Sequence, residues 1–149
     1  MDDFFLHLGG NVVEHSPTFS SSGSFFLLFL GVLKYSESFD LIWEYYDSDA
    51  ISNSVTDLAV ESSGVIFGEN AIDSPSNNPT INKLSREGEL EWSFNFNIEE
   101  QLVPVSPRNI VRQNDNIVSG TFMRCEGREK SAPVGVAMDR DGNQQWISI

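Results

Sequence analysis

The sequence predicts an all-β chain of three tandem four-stranded antiparallel units. Three observations carry that reading. A tryptophan recurs at Trp43, Trp92 and Trp146; a glycine stands four residues before the second and third of these; and no stretch sustains a helical period. The ten residues ending at each tryptophan are KYSESFDLIW, KLSREGELEW and AMDRDGNQQW. An apolar residue (Tyr35, Leu84, Met138) stands eight places before each tryptophan, and Gly88 and Gly142 stand four places before theirs. Phe39 replaces glycine in the first copy, which predicts a different first turn.

The upstream halves repeat in the same order. DLAVESSGVIFG, from Asp57 to Gly68, lies over NIVRQNDNIVSG, from Asn109 to Gly120, without a gap. DFFLHLGGNVVEH, from Asp3 to His15, follows with one extra residue, so the units begin near residues 3, 57 and 109. Strand one is DLAVE or NIVRQ and strand two is VIFG or IVSG. A longer polar connection comes next, ENAIDSPSNNP or TFMRCEGREKSAP, its Pro, Ser, Asn and Gly content suiting an exposed loop. Strand three is TINKL or VGVAM. A turn carrying EG or DG then leads into LEWSFNF or QQWISI, because glycine accepts a positive φ cheaply. In LEWSFNF the alternation places Leu90, Trp92, Phe94 and Phe96 on one face. The run FFLLFLGVL, Phe25 to Leu33, reads as one buried strand, being far shorter than the roughly 20 residues a spanning helix needs.

A four-stranded unit of about 50 residues is the size of one β-propeller blade. The expected blades cover about 3–47, 56–97 and 108–149, with each tryptophan packed between neighbouring sheets. INKLSREGELEW and VAMDRDGNQQW resemble the quinoprotein-like (PQQ-type) propeller repeat, whose blades end in an Asp-Gly turn followed by tryptophan. The Asp-box of sialidase-like propellers is a second likeness, but Gly88 and Gly142 fall one place earlier than that motif requires. The resemblance implies the fold more than an activity, since propellers host many functions. Enzymatic quinoproteins use a complete propeller, calcium and, in many members, an adjacent cysteine pair. Cys125 is the only cysteine here, and three blades do not surround a cofactor, so no cofactor is expected.

The chain has 149 residues, one domain's worth, with 22 acidic residues against 9 basic ones and a formal net charge of −13. That field repels phosphate backbones and anionic lipid, so neither nucleic acid nor a membrane span is expected. The acidity fits a halophilic surface and an ordinary acidic one alike. The chain opens MDDFF, acidic where a signal peptide is basic, so a cytoplasmic location is the default expectation.

No catalytic constellation emerges. Asp139, Asp141 and Asn143 resemble a calcium loop only in part, because Gln145 and Trp146 follow where further ligands belong; a hairpin turn is the better reading. His7 and His15 lack ligand spacing, no G-x-S-x-G elbow occurs, and Glu99 and Glu100 read as solvated charge. Arg108, Arg112, Arg124, Arg128, Lys130 and Arg140 gather in the last unit, and charge balancing is the simpler account of them. The loop from Thr121 to Pro133, with Arg124, Arg128 and Lys130, is the candidate binding loop, suited to a carboxylate or an acidic partner.

The expected function is a non-enzymatic propeller module for protein interaction or scaffolding, favoured over an enzyme. The alternative is a piece or subunit of a propeller hydrolase or carbohydrate binder whose site forms on ring completion. Closed propellers use four to eight blades, which points to a longer propeller, to a homodimer closing a six-blade ring, or to units stacked as an open array.

Overall fold

The computed structural model describes residues 18–19, 25–28, 31–36, 38–46, 52–72, 79–96, 102–104, 107–125 and 131–148. Among them all regular structure is strand, in three antiparallel sheets. The first sheet runs β1 (Thr18–Phe19), β2 (Phe25–Leu28), β3 (Val32–Tyr35) and β4 (Leu41–Tyr45) in chain order. The second runs β5 (Ser52–Glu61), β6 (Gly64–Ile72), β7 (Thr80–Ser85) and β8 (Leu90–Asn95). The third adds β9 (Leu102–Pro104) before the same pattern: β10 (Arg108–Gln113), β11 (Asn116–Cys125), β12 (Ser131–Met138) and β13 (Gln144–Ser148). β9 pairs with the far end of β11, beyond the reach of β10.

Alternation along each strand decides which face meets which neighbour. Val55, Leu58, Val65, Phe67 and Leu84 of the second sheet are buried with Val32 of the first, and Trp43 and Tyr45 pack against them. The opposite face of the second sheet offers Ile66, Ile81 and Phe96, with Trp92 and Phe94 beside them. These meet Ile110, Ile117, Val136 and Met138 of the third sheet. The middle sheet is therefore apolar on both faces, which explains the near-continuous apolar run VIF in β6. The tryptophan-bearing face of sheets one and two always points to the next sheet in the chain.

Three sequence expectations change at this level. The run FFLLFLGVL is two strands, not one: Leu28 pairs with Val32 and Phe25 with Tyr35 across a tight connection that contains Gly31. A Cβ on Gly31 would overlap the Tyr45 carbonyl and the Tyr46 ring, so the backbone of β4 comes close only because the residue is glycine. The strand hydrogen-bonded to β3 thus comes from this run, whereas residues 3–15 lie outside the described residues.

The candidate loop from Thr121 to Pro133 is mostly strand. β11 continues through Cys125 and β12 starts at Ser131, with Thr121 opposite Val134 and Arg124 opposite Ser131. The backbone groups of its two described ends are satisfied by the ladder, which polarity alone did not reveal; residues 126–130 lie outside the described residues. The first turn, finally, has the same backbone as its sisters; only its side chain differs, as described next.

Candidate functional site

The hairpins that precede the tryptophans share one construction. The N–H of Phe39, Gly88 and Gly142 donates to the carbonyl of Ser36, Ser85 and Asp139, at 3.0, 3.2 and 3.2 Å. The N–H of Ser36, Ser85 and Asp139 donates in turn to the carbonyl of Asp40, Glu89 and Asn143, at 2.9, 2.8 and 2.9 Å. A side-chain oxygen seven places before each tryptophan braces the turn from inside. Ser36 Oγ accepts from the Asp40 N–H at 3.1 Å, and Ser85 Oγ from the N–H groups of Glu87 and Glu89 at 3.1 and 3.3 Å. Asp139 Oδ1 accepts from the N–H groups of Asp141 and Asn143 at 3.0 and 2.9 Å, and Oδ2 from the Gln145 amide at 3.1 Å. These bonds, the Asn143 backbone N–H foremost, hold the Asp139 carboxyl below the usual aspartate range. The calcium-like spelling DRDGN is a self-bonded turn.

The fourth residue before tryptophan sits at positive φ in all three turns: 66° at Phe39, 90° at Gly88 and 81° at Gly142. For phenylalanine this conformation carries a cost of roughly 1–2 kcal/mol.

Each of these turns in the second and third sheets receives the tryptophan of the sheet before it. Trp43 Nε1 donates to the Arg86 carbonyl at 2.8 Å, and Trp92 Nε1 to the Arg140 carbonyl at 2.9 Å. The rings lie on the glycines: a Cβ at Gly88 would stand 2.8 Å from Trp43 Cδ2, and one at Gly142 2.7 Å from Trp92 Cδ2. Lys34, opposite Trp43 on β3, strengthens the first joint by donating to the same Arg86 carbonyl at 3.1 Å while its Nζ lies 5.7 Å from the Trp43 ring centre. The arginines carry a second repeat. Arg86 Nε donates to the Ser62 carbonyl in the turn between β5 and β6, and Arg140 Nη2 lies 2.5 Å from Asp115 Oδ1 in the turn between β10 and β11. Each arginine side chain ties two turns of its own sheet, while its carbonyl serves the preceding one.

A further tie joins the second and third sheets. Beside a bulge at Asn109, itself at φ 59°, the Ile110 N–H donates to the Asp57 carboxylate. Arg112 Nε stands 3.5 Å from Glu61 Oε1 across the same gap. Three polar residues of the second sheet are buried: the Asn82 amide donates to Glu69 Oε2 at 2.9 Å and to Thr80 Oγ1 at 3.0 Å, and Lys83 Nζ pairs with Glu91 Oε2 at 2.9 Å.

Of the tryptophans and glycines expected to recur structurally, Trp43 is brought against Gly88 and Trp92 against Gly142, whereas Trp146 lies over Gly135 of its own sheet. Of the binding-loop residues, Arg124 lies in β11, opposite Val103 and Ser131, while Arg128 and Lys130 fall outside the described residues, as do His7, His15, Glu99 and Glu100. Of the last unit's basic side chains, Arg112 and Arg140 face acidic groups, as charge balancing requires. Sequence reading placed Asp139 in a hairpin turn without its bracing role and missed Ser36 and Ser85, though all three stand seven before tryptophan and all are turn-bracing types. It also missed the arginine pair Arg86 and Arg140, six before tryptophan. Among the described residues no helix is long and apolar enough to cross a membrane.

A comparison with models of known protein families finds no match, and a comparison with curated proteins finds none either.

Proposed function

We propose that the three sheets are consecutive blades of a β-propeller of the quinoprotein-like kind, and that the protein is a non-enzymatic scaffold that presents binding loops to a protein partner. One observation carries this reading: the joint between sheets is built twice from the same residues, tryptophan on glycine with the indole N–H on the carbonyl two places before that glycine. A joint repeated in this way fixes adjacent sheets rigidly, and loops on a rigid frame are suited to recognition. The connection between β11 and β12, which carries Arg128 and Lys130 and starts beside Arg124, is the loop assigned to contact, its arginines suited to carboxylates of an acidic partner.

The test is quantitative affinity purification with the wild-type protein and with the Arg124→Ala/Arg128→Ala/Lys130→Ala variant, its fold checked by circular dichroism. At least a tenfold loss of the specific partner with an unchanged spectrum is expected. A partner held equally by the variant removes the loop from the reading. Turnover of glycoside or ester substrates by the wild-type protein replaces the scaffold with a hydrolase.

A further inference from the structure

The tryptophan face of the third sheet has no sheet upon it among the described residues. Strand register places Val111, Val118, Ala137 and Trp146 in one row across this face, with Phe122 and Pro133 in the next row but one. Trp146 is 47% exposed and Val111 56%, although their matches in the second sheet, Trp92 and Ala59, pack into the core shared with the third; Phe122 on the same face is 49% exposed, and Ala137, between Val118 and Trp146, is buried. The Trp146 ring lies over Gly135 of its own sheet, 3.2 Å from where a Cβ would stand, so the side chain is already laid flat. Asn109, exposed, occupies the place in the repeat where Asp57 captures a backbone N–H of the following sheet. The face therefore holds the donor side of a joint this chain makes twice elsewhere.

Resting on the reading of the sheets as consecutive repeat units, we propose that this face is a docking surface for one further four-stranded unit of the same construction. That unit must carry glycine at positive φ in its hairpin turn and a free main-chain carbonyl two residues earlier. The partner's chemistry is read from the two filled seats: Gly88 with the Arg86 carbonyl, and Gly142 with the Arg140 carbonyl. Both of those turns are already covered within this chain. The remaining turn carries Phe39, 57% exposed, at the same backbone angle. Its phenyl ring starts from the Cβ that stands too close to an incoming indole at Gly88 and Gly142. A second copy of this chain therefore offers no seat for Trp146. The stack has a direction, receptive at the third sheet and blocked at the first.

The test follows hydrogen exchange of the Trp146 indole proton, assigned through Trp146→Phe. In the unmodified protein it is expected to exchange at least tenfold faster than the indole protons of Trp43 and Trp92. Appending a copy of residues 102–148 after residue 149, with its glycine turn intact, is expected to slow that exchange at least tenfold. The same extension with phenylalanine in place of its turn glycine is expected not to. Equal exchange in both extended chains overturns the proposal. So does a Trp146 proton already as protected as the other two, or a wild-type dimer that Trp146→Ala dissolves. Should the appended unit fail to fold, Phe39→Gly supplies a second measurement. It opens a seat on the first sheet, and light scattering is expected to show head-to-tail association that Trp146→Ala abolishes. A Phe39→Gly protein that stays monomeric at every concentration overturns the proposal.

Discussion

At the turn positions one backbone angle is held by two kinds of residue, and the difference is measurable. Gly88 and Gly142 lie under indole rings at left-handed φ, so Gly142→Ala adds both a strained conformation and a Cβ inside contact distance of Trp92. A loss of about 2–3 kcal/mol in urea unfolding is expected, the sum of roughly 1–2 for the left-handed alanine and about 1 for displacing the ring. Phe39→Gly goes the other way, because the residue is exposed and the strain is removed. Offset by the extra freedom of the unfolded glycine, a gain of about 0.5–1 kcal/mol is expected. Equal losses at both sites would mean the turns are not equivalent. Asp139 gives a pH test. Its folded-state pKa is lowered, so the turn bonds contribute stability above the ordinary aspartate range, near pH 4, and lose it as pH falls through the lowered value. Carboxyl NMR of Asp139 is expected to show titration below the ordinary aspartate range, and Asp139→Asn to flatten that part of the acid-unfolding curve. Tryptophan and glycine were legible in the sequence because their identities repeat. The bracing oxygens were not, because serine and aspartate do one job with different letters.

Between elements, the joints rest on a few polar contacts set into apolar faces. The Asp57 carboxylate accepts the Ile110 N–H beside the bulge at Asn109. Removing the acceptor leaves a half-buried N–H unpaired, and Asp57→Ala is expected to cost about 1–3 kcal/mol. Asp57→Asn, which keeps an acceptor oxygen, is expected to recover at least half of it; equivalent losses for the two variants would remove the bond from the account. Strand identity was readable wherever apolar and polar residues alternate, as in LEWSFNF, whose Trp92, Phe94 and Phe96 do share the face toward the third sheet; Leu90, expected with them, is set off that face by the bulge that pairs it with Leu84. It was unreadable in two kinds of segment. In FFLLFLGVL the turn lacks polar residues, so two strands spell one run; Gly31 is the only punctuation. In TFMRC and the residues around it, polarity suggested a loop, yet a ten-residue β11 satisfies its backbone against β12 and β9.

Across the whole molecule, the two cores do not touch the same pairs of sheets: one is shared by sheets one and two, the other by sheets two and three. Stability in such an array is a sum of sheet terms and nearest-neighbour joints, so weakening one joint should uncouple what it connects and leave the other intact. Trp92 is the place to test this. Trp92→Ala removes the ring that covers Gly142, the indole bond to Arg140 and part of the second core. It is expected to cost about 3 kcal/mol, the low end for a large aromatic because the ring is only half-buried. It should also split the unfolding of the wild-type protein into two transitions, with backbone amides of β10 to β13 exchanging at lower denaturant than those of β3 to β8. Trp92→Phe, which keeps an aromatic ring and loses the N–H bond, is expected to cost about 1 kcal/mol relative to a good hydrogen bond and to leave unfolding in one step. A single transition in Trp92→Ala, with amides of all three sheets moving together, would show that the sheets fold as one unit and that the joint orients them without coupling them. The repeat in the sequence announced that joints exist. Their direction, from Trp43 forward to Gly88 and from Trp92 forward to Gly142, came only from seeing which ring lies on which turn.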